Sequence, residues 1–314
     1  MSVASPARQN FIERIESVRD AVQQPWLIDG PLGDAVHNRR AGLLRNSLMV
    51  VAFTSLEDFL RNRTSELLNH ISRTVVGFSQ LPNKLRTSAT IGAVRSGLFQ
   101  ATLASKTGSD PIALIQGVAE SVASTMKGAL QLSPYSLGYT GSNVTVDEVY
   151  SILAALNIND PWTEMSDFAA RCGFGSLPLK QAYETLQINR NTAAHDVRAS
   201  IQPNDLTSFS NEALAIAMSF DLVASRAARL LNEGNSALLT AKNKLQSSIA
   251  IRFIDESAGK YREKPEKASR AVKVSSDVEE AWRLAIGRST STHEAVVLRG
   301  SKGLPVDWYS CDVA

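Results

Sequence analysis

Apolar residues recur every three or four positions along most of the chain up to Asn232, the period of helices that bury one face. Residues 8–24 carry Phe11, Ile15, Val18 and Val22 at that spacing, and Pro25 with the Asp29-Gly30-Pro31 turn ends them. His37 to Val76 reads as one long helix, with Leu44, Leu48, Val51, Ser55 and Phe59 in a row and no Gly or Pro after Gly42. From Gly77 to about Gly141 the chain is rich in Ser, Thr, Ala and Gly, with helical stretches at 84–104 and 110–130. The segment from Asn143 to Glu148 opens another helix, with Val149, Ile152, Leu153 and Leu156 on one side. Asp160-Pro161-Trp162 breaks it, residues 162–172 form a short helix, and the Gly-rich stretch after Cys172 turns the chain. Leu179–Ser200 is a further helix, and Leu206–Asn232 is the last long one, stopped at Gly234.

Beyond about residue 245 the period changes. Ile249, Ile251 and Phe253 alternate along a strand, and Glu294–Arg299 and Val306–Val313 read as two more, joined by the Gly300–Gly303 turn. Ser276-x-x-Glu279 forms a capping box ahead of Val278, Ala281, Trp282 and Ala285, so a helix lies between them. The basic run Lys260, Arg262, Lys264, Lys267 and Arg270, mixed with Glu263 and Glu266, reads as a solvated connection, with contact to RNA phosphates the lesser alternative. The expected fold class is mainly α: a helical domain over residues 1–240 and a small α+β module over residues 241–314. Trp308 and Tyr309 are read as packing that module, with base stacking the lesser alternative.

Composition narrows the function. Among 314 residues, 33 basic against 31 acidic side chains leave +2, so bulk charge gives no nucleic-acid signal and any anion is held by local placement. The module has 13 basic and 10 acidic residues. Two cysteines, Cys172 and Cys311, make no disulfide framework, and a reducing, cytoplasmic setting fits. The opening residues lack a basic, then apolar, secretory pattern. Apolar runs such as Leu48–Phe53 are too short for a membrane span, so no membrane partner is expected.

Most chemical signatures are missing. The only Gly-Lys pair, Gly259-Lys260, is followed by Tyr261, which rules out a phosphate-binding P-loop. Gly173-x-Gly175 has Pro178 where a dinucleotide loop needs glycine. No H-E-x-x-H, C-x-x-C or D-x-D cluster points to a metal, and no cofactor is called for. Four histidines remain for acid–base work near neutral pH: His37, His70, His195 and His293.

His195 has the informative neighbourhood, Arg190-Asn-Thr-Ala-Ala-His195. With 22 Arg and 4 His in the chain, an Arg-x4-His pair arises by chance about 0.3 times. Arg288 and His293 supply such a pair in a Ser/Thr-rich stretch. Requiring Asn in second place lowers the chance to about 0.01. The string resembles the R-x(4–6)-H motif of the HEPN superfamily, whose members usually carry Asn, Asp or His after the Arg. Its place, late in one helix with a turn and another long helix after it, is also similar to that family's bundle. Many active relatives have Gly after the His, where this chain has Asp196.

The resemblance implies a HEPN-like bundle and metal-independent RNA cleavage by the ribose 2′-OH. His195 would act as general acid or base, Arg190 would stabilise the transition state, and Asn191 would orient the imidazole or a phosphate oxygen. It implies RNA as partner, a homodimer that brings two motifs into one cleft, and a toxin or antiviral defence role with a possible antitoxin or regulatory partner. The alternative is a non-catalytic HEPN-like module that binds nucleotide or protein.

The helical wheel adds a constraint from the residues themselves. Leu179, Tyr183, Leu186, Arg190, Ala194, Val197 and Ile201 share one stripe, so Arg190 takes a core-type position and needs an anion opposite it. Glu57 or Asp58, on the long early helix, is the candidate carboxylate, and Asp196 could tune the imidazole. Asn191 and His195, four apart, can hydrogen-bond. Arg190 and His195 lie about 140° apart on a regular helix, so a looser helix or a second copy must bring them together.

Overall fold

The computed structural model describes residues 5–196 and 198–313; Val197 lies outside them. It is mainly helical, with a small five-stranded sheet at the C-terminal end. Helix α1, Pro6–Val22, starts where Ser5 Oγ accepts the Arg8 N–H and Pro6 fills the first turn, and it buries the four predicted apolar positions. Asp34 caps the 37-residue α2, Ala35–Ile71.

The predicted row on α2 holds only in its second half. Ser55 and Phe59 are buried, whereas Leu44 and Val51 are exposed, and the buried row runs Ala41, Arg45, Met49, Phe53 and Leu56. A polar residue in that row explains the slip. Arg45 is sealed in by carbonyls of Leu27 and Ile201, the Asp29 carboxylate and Ser200 Oγ, so an arginine occupies a core position that an apolar count misses.

After α2 come α3 (Asn83–Thr87), a π turn at Ser88–Gly92, α4 (Ala93–Thr107) and α5 (Pro111–Ser124). The helical stretch expected at 84–104 is present as one continuous run from Asn83 to Thr107, with a π turn inside it. Helices α6 (Val146–Ala155), α7 (Pro161–Ala169) and α8 (Leu179–His195) follow. Helix α9, Pro203–Asn232, is the axis of the bundle: every residue from Ala213 to Ser225 is buried. Small Ala and Ser side chains let its neighbours approach from all sides, which is why its sequence is so Ala-rich. A short α10, Ser236–Thr240, unrecognised in the sequence, closes the helical part.

The sheet has the order β3-β2-β1-β4-β5, built from β1 (Ile251–Ser257), β2 (Lys260–Pro265), β3 (Lys273–Ser275), β4 (Ala295–Arg299) and β5 (Pro305–Tyr309). β1 and β4 are parallel, connected through α11, Val278–Ser289; the other pairs are antiparallel. Strand β2 corrects the reading of residues 260–265 as a solvated connection, whereas Lys267 and Arg270 lie in an exposed turn as expected. The inward position of β2 is Glu263, 1% exposed, neutralised by Arg252 at 3.0 Å and by Arg288. A buried ion pair replaces the apolar alternation that marks a strand. The helix after it is capped by Asp277, whose Oδ1 accepts the Glu279 N–H at 2.9 Å, and not by Ser276.

Alternation does govern the other strands. Ile254, Val296 and Tyr309 pack with Ala281 and Ala285 of α11, while Phe253, Val297 and Trp308 join the main helical core. Trp308 packs edge-to-face with Phe59 and at a tilt to Phe11, and its indole N–H donates to Asp221 Oδ2 at 2.7 Å. Arg63 on α2 donates to Asp221 Oδ1 at 2.7 Å and to the Val313 carbonyl at 2.7 Å. One apolar core thus runs from the bundle into the sheet. Gly173 marks a close approach between them: its φ is +114°, and an added Cβ would lie 3.0 Å from the Gly303 carbonyl oxygen. Among the described residues no helix is long and apolar enough to cross a membrane.

Candidate functional site

Helix α8 docks by Leu179, Ala182, Tyr183 and Leu186, one stripe at helical spacing. Arg190 continues that stripe and is half-buried. The helix ends at His195, five residues earlier than predicted, because competing hydrogen bonds take the chain away. Asp196 Oδ1 accepts the Arg198 N–H at 2.8 Å, and α2 then captures the next residues. Asn46 Nδ2 donates to the Ala199 carbonyl at 2.8 Å, and the Ile201 N–H donates to Asn46 Oδ1 at 3.0 Å. Ile201 is therefore buried from an extended segment, and Ala194 is exposed; neither extends the stripe as predicted.

The Arg190 guanidinium lies between two amide oxygens. Nη1 donates to Asn191 Oδ1 at 3.0 Å, and Nη2 reaches Asn143 Oδ1 at 3.4 Å. Its Nε is buried without an acceptor. Glu57 lies near enough for the Arg190 charge to lower its pKa, yet no ion pair joins them among the described residues. The Glu57 carboxylate instead accepts the Val144 N–H at 2.7 Å. Burial holds the Glu57 carboxyl above its ordinary pKa, against the Val144 hydrogen bond and the charges of Arg61 and Arg190, with Glu148 adding to the rise. Asp58 belongs elsewhere: it pairs with Arg14 at 2.6 Å and accepts from Asn62 at 2.9 Å, both at the surface.

The loop 138–144 that carries Asn143 is held from several sides. Arg61 donates to the carbonyls of Gly138, Gly141 and Ser142, and its guanidinium stands 5.2 Å from the Tyr139 ring centre. Glu148 accepts from the Thr140 N–H and hydroxyl, and the Tyr183 hydroxyl donates to the Val144 carbonyl at 2.8 Å. Asn143, Arg61, Glu148 and Tyr183 were not singled out as site residues from the sequence. Tyr183 shares the Arg190 stripe, which was the one signal available; the loop residues carry none.

His195 is exposed on the last turn of α8, and its imidazole makes no hydrogen bond among the described residues. The other three histidines are engaged. His37 Nε2 meets the Ile28 carbonyl at 2.8 Å, His70 meets Asn232 at 3.1 Å, and His293 Nδ1 meets the Cys311 carbonyl at 3.4 Å. The second Arg-x4-His string is thus structural, its Arg288 committed to Glu263. The Asn191–His195 hydrogen bond that the spacing permits is not made; the Asn191 oxygen serves Arg190. Asp196 caps the following turn and does not touch the imidazole.

Ile188, Asn191, Thr192 and His195 are all exposed and fall on one outward face of α8, with Ile188 63% exposed at its head. Among the described residues no three or more His, Cys, Asp or Glu side chains are grouped to hold a metal ion. No family model, curated protein or solved structure matches the chain.

Proposed function

We propose that this chain is a metal-independent endoribonuclease of HEPN-like architecture. The observation that carries the reading is the Arg190–Asn191 hydrogen bond: it turns a guanidinium from a core-facing position toward the helix face on which an unengaged His195 is presented. A cation turned toward the exposed face that carries an imidazole suits a phosphodiester and needs no metal.

In this reading the His195 imidazole takes the proton of a ribose 2′-OH. The alkoxide attacks the adjacent phosphorus, and the bond to the 5′-oxygen breaks. The leaving oxygen is protonated by the His195 of a second copy, which leaves a 2′,3′-cyclic phosphate and a 5′-hydroxyl end. Arg190 stabilises the charge on the non-bridging oxygens, and Asn191 holds Arg190 in place. Glu57 lies behind Arg190 without an ion pair to it among the described residues. The exposed Ile188 gives the outward face of α8 an apolar contact for a homodimer. RNA is the substrate, the cytoplasm the setting, and a toxin or defence role with an antitoxin or other regulatory partner is the biological context proposed.

The test is cleavage of an RNA and its all-deoxy counterpart in EDTA by wild-type and His195→Ala protein. The proposal expects RNA-only cleavage that falls about 10²–10⁴-fold in the variant. Activity that His195→Ala leaves intact would overturn it.

A further inference from the structure

We propose that the cleft between α1, the first turns of α9 and the β4–β5 turn is a binding site for a small phosphomonoester, separate from the α8 motif. The cleft has a volume of about 480 Å³, within the size range of small-molecule sites, and it lies at the seam between the helices and the sheet, where such sites concentrate.

Its walls combine a mostly apolar lining with a few convergent donors. Val22, Leu304, Pro305 and Val306 supply the apolar surface. Arg19 enters from α1, half-buried, and its Nη2 donates to the neutral Asn211 Oδ1 at 3.1 Å. No carboxylate bridges it among the described residues. Burial lowers the Arg19 pKa, opposed only through space by Glu16, so the guanidinium is an under-compensated cation. Lys302 faces the same space from the turn, without an ion pair among the described residues. Asp20, the one acid among the lining residues, is exposed.

The turn adds backbone donors. Gly303 N–H closes on the Gly300 carbonyl at 2.8 Å and Gly300 N–H on the Leu304 carbonyl at 3.0 Å. This leaves the intervening Ser301 and Lys302 amides without acceptors among the described residues. A planar guanidinium, an ammonium and two adjacent amides suit a tetrahedral dianion, because each phosphate oxygen can meet a separate donor. The apolar remainder of the cleft selects an ester with a compact organic body over the free ion.

The experiment is calorimetric titration of the full chain with adenosine 5′-monophosphate, phenyl phosphate, inorganic phosphate and adenosine. Either ester should bind with a Kd below about 1 mM, more tightly than inorganic phosphate and adenosine. Arg19→Gln and Lys302→Gln should each weaken it about tenfold or more, while His195→Ala leaves it unchanged. That last control keeps the result independent of the nuclease reading. Lys302 sits on an exposed turn, so its variant remains informative if the Arg19 variant misfolds. No ester binding below about 1 mM, ester binding no tighter than inorganic phosphate or adenosine, or ester binding that Lys302→Gln leaves intact would overturn the assignment.

Discussion

The guanidinium of Arg190 donates through Nη1 to the side-chain oxygen of its own neighbour, Asn191, at 3.0 Å. Five residues along a regular helix separate two side chains by about 140°, so Arg190 and His195 leave α8 in different directions. The Asn191 contact recovers part of that angle, since Asn191 and His195 stand one turn apart on the same face. The helix stays regular through His195, so no local loosening brings the two side chains together, and a second copy is the remaining route.

Asn191→Leu should separate the two roles of that contact. Asn191 is exposed, so unfolding free energy should change by no more than about 0.5 kcal/mol. Without the amide oxygen, Arg190 relaxes toward Asn143, and single-turnover cleavage should fall about tenfold or more with little change in KM. A loss in KM alone would show that Asn191 binds RNA and does not position Arg190.

Glu57→Gln tests the buried carboxyl through its pH dependence. A carboxyl whose folded pKa lies above its unfolded value favours the folded state most at low pH, and that advantage is lost as pH rises through the folded pKa. Above the unfolded carboxyl's pKa the charged form is disfavoured in the fold, a cost that glutamine removes while its amide oxygen can still accept the Val144 N–H. Thermal unfolding should show Glu57→Gln more stable than wild type at pH 7, by up to about 4 °C. The gap should close below the ordinary carboxyl value of 4.5. A variant less stable at pH 7 would show that the charge on Glu57 holds the loop.

Arg63→Ala probes the seam between bundle and sheet. Arg63 and Asp221 are both 1% exposed, and Asp221 also receives the Trp308 indole N–H. Removing the guanidinium strands a buried carboxylate, which should cost about 3–5 kcal/mol in urea unfolding. For the same reason a chain ending near residue 245 should fail to fold, because Trp308 and Val313 fill the helical core. A soluble, cooperatively unfolding fragment would show that the helices stand alone.

Much of this architecture was legible because apolar side chains do most of the packing. The Phe11, Ile15, Val18 and Val22 stripe placed α1, the Ala-rich run placed α9, and Phe253, Val297 and Trp308 alternate as strands should. What escaped was wherever a charged or amide group took a core position. Arg45 shifted the buried row of α2, Glu263 hid β2, and Asn46 drew residues 199–201 off α8. Such positions are settled by partners far along the chain, so no local period reveals them. At the site, Arg190 was readable as half-buried from its stripe, but the expected carboxylate partner, Glu57 or Asp58, is not what it meets: Glu57 lies near without an ion pair, Asp58 pairs with Arg14, and the guanidinium donates to the Asn191 and Asn143 amide oxygens. Asn143 was not readable, because a loop residue acquires its neighbour through the fold.

The most direct test of the account is single-turnover cleavage of a 5′-labelled RNA in EDTA by wild-type, His195→Ala and Arg190→Ala proteins of matched folding. His195 makes no contact that folding depends on, so its variant should unfold like wild type. The account predicts 2′,3′-cyclic phosphate ends from wild type, a rate lower by about 10²–10⁴-fold in each variant, and no cutting of the all-deoxy strand. Equal rates in wild type and His195→Ala, or equal cutting of the deoxy strand, would contradict it.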